Sequence, residues 1–186
     1  MTKSALYERL VSGVNHSREK RQEISDLILD QPLLMPLLLE LVFKVKDPIS
    51  CKAAWVMEFT VKQDITILFP VLNDFTKGLH TLTLESSIRP NAKICEILIL
   101  QYYAKQENII QSVVKKQHLE DITTACFDWL IGDHKVAAQA YSMTSLLLLG
   151  RTFPWIHPEL RIILEQNYAT GTAAYKARAR MTLAKL

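Results

Sequence analysis

Four lysines stand at positions 52, 93, 135 and 176, spaced 41, 42 and 41 residues apart. Lys52-Ala53-Ala54-Trp55, Lys93-Ile94-Cys95-Glu96, Lys135-Val136-Ala137-Ala138 and Lys176-Ala177-Arg178-Ala179 superpose on that register. A period of about 40–47 residues is that of stacked helix pairs. One pair cannot bury its own apolar face, so neighbouring pairs stack and share a continuous core. The small residues after each lysine fit this arrangement, because a helix pair must approach its neighbour closely.

Helical periodicity recurs from end to end. Leu68, Leu72, Phe75, Leu79 and Leu82 fall on one face of a 3.6-residue helix. So do Leu119, Ile122, Cys126 and Trp129, then Val136, Ala140, Met143 and Leu147, and finally Tyr175, Ala179, Leu183 and Leu186. No comparable run of strict alternation occurs, so no strand is expected. Only 5 residues are Gly, which also favours long helices over a turn-rich β fold.

The breaks between stripes carry helix-stop and helix-start chemistry. Asp47-Pro48 and Arg89-Pro90 can each end one helix and open the next. Gly132-Asp133 offers a left-handed stop followed by an N-cap acid, and Thr170-Gly171-Thr172 repeats that logic. Phe153-Pro154 and His157-Pro158 punctuate the last connection. The expected pairs are 32–46 with 49–63, 67–82 with 90–105, 117–131 with 134–150, and 158–168 with 172–185. A leading pair covers 4–12 and 18–30. Boundaries read this way carry an error of about 2–4 residues.

Asp47-Pro48-Ile49-Ser50-Cys51-Lys52-Ala53-Ala54 resembles the inter-helix turn and second-helix start of a HEAT repeat. That family has an acid in the turn, then a basic residue and small residues. The other three repeats match more loosely, with Arg89 at the acid position of the second and Ala173-Ala174 in the fourth. The resemblance spans residues 32–186 in period and pattern. It implies an all-α fold, an α-solenoid of four to five HEAT-like helix pairs, in a single α-α superhelix domain over 1–186. The C-terminal third is similar to a group of short bacterial helical proteins, some labelled adenylosuccinate lyase. It carries Lys135-Val136-Ala137-Ala138-Gln139-Ala140-Tyr141-Ser142-Met143, Pro154-Trp155-Ile156, Pro158-Glu159-Leu160 and Tyr175-Lys176-Ala177-Arg178-Ala179. Members of the lyase family itself are far longer and use a Ser-containing, Gly-rich mobile loop with paired catalytic histidines. This chain has no such loop.

Candidate binding residues follow from the helical wheel. In 49–63 the core face is Ile49, Ala53, Val56 and Thr60. Trp55 lies at its edge, near Glu58 and Lys62, which form an i,i+4 pair of the favoured orientation. In a HEAT stack second helices usually line the concave side, so Trp55 with Glu58 is a candidate hot spot. The plain structural alternative is a Trp filling a groove beside a solvated ion pair. Lys52, Lys93, Lys135 and Lys176 form either a ladder for phosphates or a set of turn ion pairs. Lys176 and Arg178 belong to a last helix with no acid from Gly171 onward, which suits an acidic partner or a capping repeat. Asp128 beside Trp129 suggests the acid and tryptophans of HEAT-like alkylpurine DNA glycosylases. However, Trp129 sits on the apolar stripe, so burial accounts for it.

Several functions lack their residues. The five histidines are dispersed, without HExxH or an i,i+4 pair. No G-x-S-x-G, Walker loop or GxGxxG occurs, so no catalytic residue, metal or cofactor is assigned. Cys51, Cys95 and Cys126 are widely spaced and read as reduced thiols, which suits the cytoplasm. The longest apolar stretch, Pro32 to Phe43, contains two prolines and Glu40, far short of the roughly 20 residues that span a bilayer. A net charge of +3 permits nucleic acid without demanding it. The expected function is a non-catalytic protein-binding or scaffold module in the cytoplasm. The alternative is a nucleic-acid binder, glycosylase-like in its sharpest form. An enzyme of the lyase type comes third.

Overall fold

A computed structural model describes residues 1–186. Eleven α-helices account for the regular structure, with three short 3-10 segments and no strand. The chain divides into two compact units, Met1–Ile94 and Cys95–Leu186.

The first unit opens with α1 (Lys3–Gly13), which Thr2 caps by accepting the Ala5 N–H at 3.2 Å. Then come α2 (Arg18–Asp30), α3 (Met35–Val42) and α4 (Ile49–Gln63). Asp47 and Pro48 divide α3 from α4 where the sequence predicts. Asp47 accepts the Ile49 N–H at 3.0 Å and also the Tyr7 hydroxyl at 3.3 Å. Ile49, Ala53, Val56 and Thr60 are all buried. α4 packs against α1, α2 and α3, which makes it the centre of this unit.

The helix expected over 67–82 is broken. Asp64 accepts both the N–H and the hydroxyl of Thr66, which turns the chain out of α4. A 3-10 segment, Ile65–Val71, follows and contains Pro70, which cannot donate to a helical carbonyl. Only α5 (Leu72–Gly78) is α-helical, before a second 3-10 turn, Leu79–Thr81. The stripe Leu68, Leu72, Phe75, Leu79 and Leu82 is nevertheless buried throughout. Gly78 lies close under Phe43, and a Cβ there would overlap the ring unless the ring shifted.

Arg89-Pro90 does not break a helix. α6 (Glu85–Tyr102) begins before it and carries Pro90 inside. Proline leaves the carbonyl four residues back without its helical donor. That carbonyl belongs to Ser86, and the Trp55 indole N–H donates to it at 2.9 Å. A side chain of α4 therefore replaces the missing backbone donor of α6.

In the second unit, α7 (Ile109–Val113) lies where no helix is expected. Its capping box joins Asn108 and Gln111. The same two side chains donate to the carbonyls of Gln101 and Tyr102, at the end of α6. α8 (Lys116–Ile131), α9 (Val136–Leu149), α10 (Ile156–Tyr168) and α11 (Ala173–Leu183) complete the chain. Leu119, Ile122, Cys126 and Trp129 are buried on α8 as the stripe predicts.

Two details differ. Gly132 ends α8 with φ −66° and ψ 163°, not in a left-handed turn, and Lys135 rather than Asp133 occupies the N-cap of α9. On α9 the buried set is Ala138, Ser142, Met143, Ser145, Leu146 and Leu149, and Val136, Ala140 and Leu147 are only half-buried. α9 touches α8, α10 and α11, so it has no single core face for one stripe to mark. Thr172 caps α11 by accepting the Tyr175 N–H at 3.2 Å, as its position predicts, but Gly171 before it is not left-handed either.

Candidate functional site

The residues singled out around Trp55 form a cluster on α2, α4 and α6 of the first unit. Glu58 is its centre. Its side chain is only 2% exposed, so the ion pair is not the solvated one that i,i+4 spacing alone suggests. Lys62 pairs with one carboxylate oxygen. Arg89, from α6, reaches the other at 2.6 Å. A buried carboxylate is tolerable only when charge partners and hydrogen bonds replace its water, and these two cations supply both.

Arg21 of α2 completes the arrangement. Its guanidinium lies over the Trp55 ring at 5.6 Å and over the Phe59 ring at 5.1 Å. Partial burial pulls its pKa below the ordinary arginine value, and Glu58 opposes that shift. The backbone carbonyl of Ser17 accepts from its Nε at 3.2 Å, which fixes the plane of the group. His16 lies beside the same indole, 5.2 Å from the Trp55 centroid and tilted by 42°. Lys62 also stands over Phe59, at 5.8 Å.

Two cations thus contact one carboxylate, and a third, Arg21, feels its charge from a site between two aromatic rings. Trp55, Glu58 and Lys62 were readable as neighbours from helical spacing. Arg21 and Arg89 were not, because both are brought in from other helices. The only hint in the sequence was that Arg89 occupies the turn-acid position of its repeat. Trp55 and Glu58 are also parts of the fold itself. One supplies a donor to α6 and the other is a buried charge.

Of the repeated lysines, Lys52 and Lys93 belong to the first unit and Lys135 and Lys176 to the second. Lys52 donates from its ammonium to the Val11 carbonyl at 2.6 Å, so it caps the last turn of α1 instead of pairing with a turn acid. Lys93 is half-buried on α6, Lys135 is exposed ahead of α9, and Lys176 and Arg178 are half-buried on α11. Trp129 is 2% exposed, and its neighbour Asp128 is exposed.

No group of three or more His, Cys, Asp or Glu side chains converges to hold a metal. Burial pushes the Cys126 thiol up to about 12, although hydroxyls of Ser142 and Ser145 oppose it, and Cys95 also lies well above its usual value through burial. Neither is a nucleophile at neutral pH. No helix is long and apolar enough to cross a membrane. Compared with known proteins, the chain matches no family model, no curated protein and no solved structure.

Proposed function

We propose that this chain is a HEAT-like helical-repeat protein of the binding class, and that its first unit holds an acidic protein segment on the face built by α2, α4 and α6. The observation that carries this reading is the surplus of cations around Glu58. Lys62 and Arg89 pair with one carboxylate and Arg21 stands beside them without an acid of its own in contact, so the patch keeps a positive field after its internal pairing. Such a field steers an acidic partner and fixes its orientation. Arg21 is held by ring faces and a backbone carbonyl, so little of its freedom is lost on binding.

The neighbour pattern within each unit supports the repeat. In the first, α1 packs on α3 and α2 on α4, while α1 with α2 and α3 with α4 are sequential pairs. In the second, α8 with α9 and α10 with α11 are the pairs, and α9 packs on α11. Second helix against second helix is the contact that a stack of helix pairs requires.

Nucleic acid is the second reading, favoured by the rings of Trp55 and His16 beside the same cations. The protein reading is preferred because the patch is small, with three cations drawn from three helices. A phosphate backbone rewards a continuous basic stripe. The test is retention by heparin and by an acidic peptide column across salt. The protein reading expects Arg21→Glu to abolish peptide retention at about 0.15 M salt, where the Debye length is about 8 Å. Retention that is unchanged by Arg21→Glu would reject it.

A further inference from the structure

The second unit contains a cleft of about 450 Å³ that the reading above does not use. Phe127 of α8 and Trp155, at the start of α10, form one wall. Their rings are stacked, 5.7 Å between centroids with planes 18° apart. Phe153, 9% exposed, lies at the base. Glu120, Thr123, Thr124 and Asp128 supply the polar lining, and no Lys, Arg or His contributes to it.

Two features make this more than a surface hollow. Trp155 is 55% exposed, and the stack on Phe127 holds it in one orientation, so a large ring is set in place without being buried. Asp128 is exposed and belongs to none of the ion pairs of the chain. Glu120 meets only the outlying Lys116, at 3.6 Å, with both side chains well exposed. Aromatic faces attract cations through the ring quadrupole, and a nearby carboxylate adds to that attraction. An apolar wall with a few convergent polar groups is the usual make-up of a small-ligand pocket, and about 300–1,000 Å³ is the usual size. An anion would meet two carboxylates here, and a neutral apolar group would make no use of them.

We propose that this cleft binds an organic cation, an alkylammonium or guanidinium carried on an apolar shaft. The shaft lies along Phe127 and Trp155, and the charged end meets Asp128. The cation is either a free amine or a basic side chain of a polypeptide. The site is independent of the patch on the first unit, so each can fail without the other.

Titration calorimetry on the full chain tests this with three probes: Nα-acetyl-lysine methylamide, its uncharged norleucine counterpart, and a glycine-flanked peptide with one central lysine. The amine is expected to bind about tenfold more tightly than the norleucine compound, from the ring and carboxylate contributions together. Asp128→Asn should weaken the amine about threefold to fivefold. Trp155→Ala should weaken it about tenfold. Asp133→Asn, an exposed acid outside the cleft, should leave it unchanged, and circular dichroism should be the same for all variants. A peptide that binds more than about tenfold tighter than the free amine identifies a polypeptide side chain as the source, and equal affinity identifies a free amine. No binding by either charged probe up to about 10 mM would overturn the proposal, as would equal binding of the norleucine compound or no effect of Asp128→Asn.

Discussion

The indole N–H of Trp55 donates to the carbonyl of Ser86 at 2.9 Å. Pro90, four residues beyond Ser86, has no N–H to offer that carbonyl. The tryptophan on α4 and the proline in α6 therefore answer one another. Trp55→Phe keeps a ring but loses the donor and should cost about 1 kcal/mol in urea unfolding. Pro90→Ala restores the backbone donor. In that background the Trp55→Phe cost should fall by the share due to the lost donor, a coupling of about 1 kcal/mol. Additive effects would mean that the indole bond does not substitute for the helical one.

Glu58 and its partners should rank in a definite order. Arg89→Ala strands a carboxylate that is 2% exposed, with only Lys62 left to it, and should cost most, about 3 kcal/mol. Glu58→Ala removes the buried charge and leaves two partly exposed cations that water can reach, so it should cost less, about 2 kcal/mol. Lys62 is 42% exposed, and Lys62→Ala should cost about 0.5 kcal/mol. Denaturant midpoints of the three variants check this. A Lys62 variant as damaging as the Arg89 variant would contradict the assignment of the main partner.

The thiols give a pH dependence with a fixed sign. An unfolded thiol ionises near about 8.5, whereas Cys126 in the fold is pushed up to about 12 by burial. Between those values the unfolded chain binds fewer protons than the folded one, so stability falls as pH rises. The contribution is complete below about pH 8.5 and is lost progressively toward pH 12. Tyr7, raised first by the charge of Asp47, acts in the same direction at higher pH. Cys126→Ala should flatten the alkaline slope. In the folded protein an aromatic disulfide reagent should titrate Cys51, which is partly exposed, and reach Cys95 and Cys126 only on unfolding. Three fast thiols at neutral pH would refute the burial of the pair.

Close packing at Gly78 gives a steric prediction. Gly78→Ala places a Cβ into the Phe43 ring and should cost about 1–3 kcal/mol. Phe43→Leu should relieve part of that cost. If Gly78→Ala is neutral alone, the ring does not sit where the fold places it.

Much of the secondary structure could be read from apolar spacing and capping residues. α4 begins and ends at 49 and 63 in the sequence reading and in the fold alike. Its break from α3 was carried by Asp47-Pro48, where a side-chain acceptor and a fixed φ act together. Arg89-Pro90 looks similar as a dipeptide, yet α6 passes through it. The difference lies in Trp55, which is 31 residues away and invisible to a local pattern. α9 shows the opposite failure. Its apolar residues run nearly all round, so the period was real but the buried face depended on three neighbours. At the candidate site, helical spacing joined Trp55, Glu58 and Lys62. It could not join Arg21 and Arg89, because cross-helix neighbours are set by packing. Helical spacing also missed the burial of Glu58, since an i,i+4 pair has the same sequence whether it faces water or another helix.

The most direct test of the binding reading is affinity capture with tagged full-length protein, wild type against Arg21→Glu, each with and without nuclease. Arg21 is chosen because its loss should leave Trp55–Ser86 and Glu58–Arg89 in place. Binding by the α2, α4 and α6 face predicts an acidic protein that wild type retains after nuclease treatment and the variant does not, at equal helicity. Capture that disappears with nuclease would shift the face to nucleic acid. The same proteins retained by both forms would contradict the account.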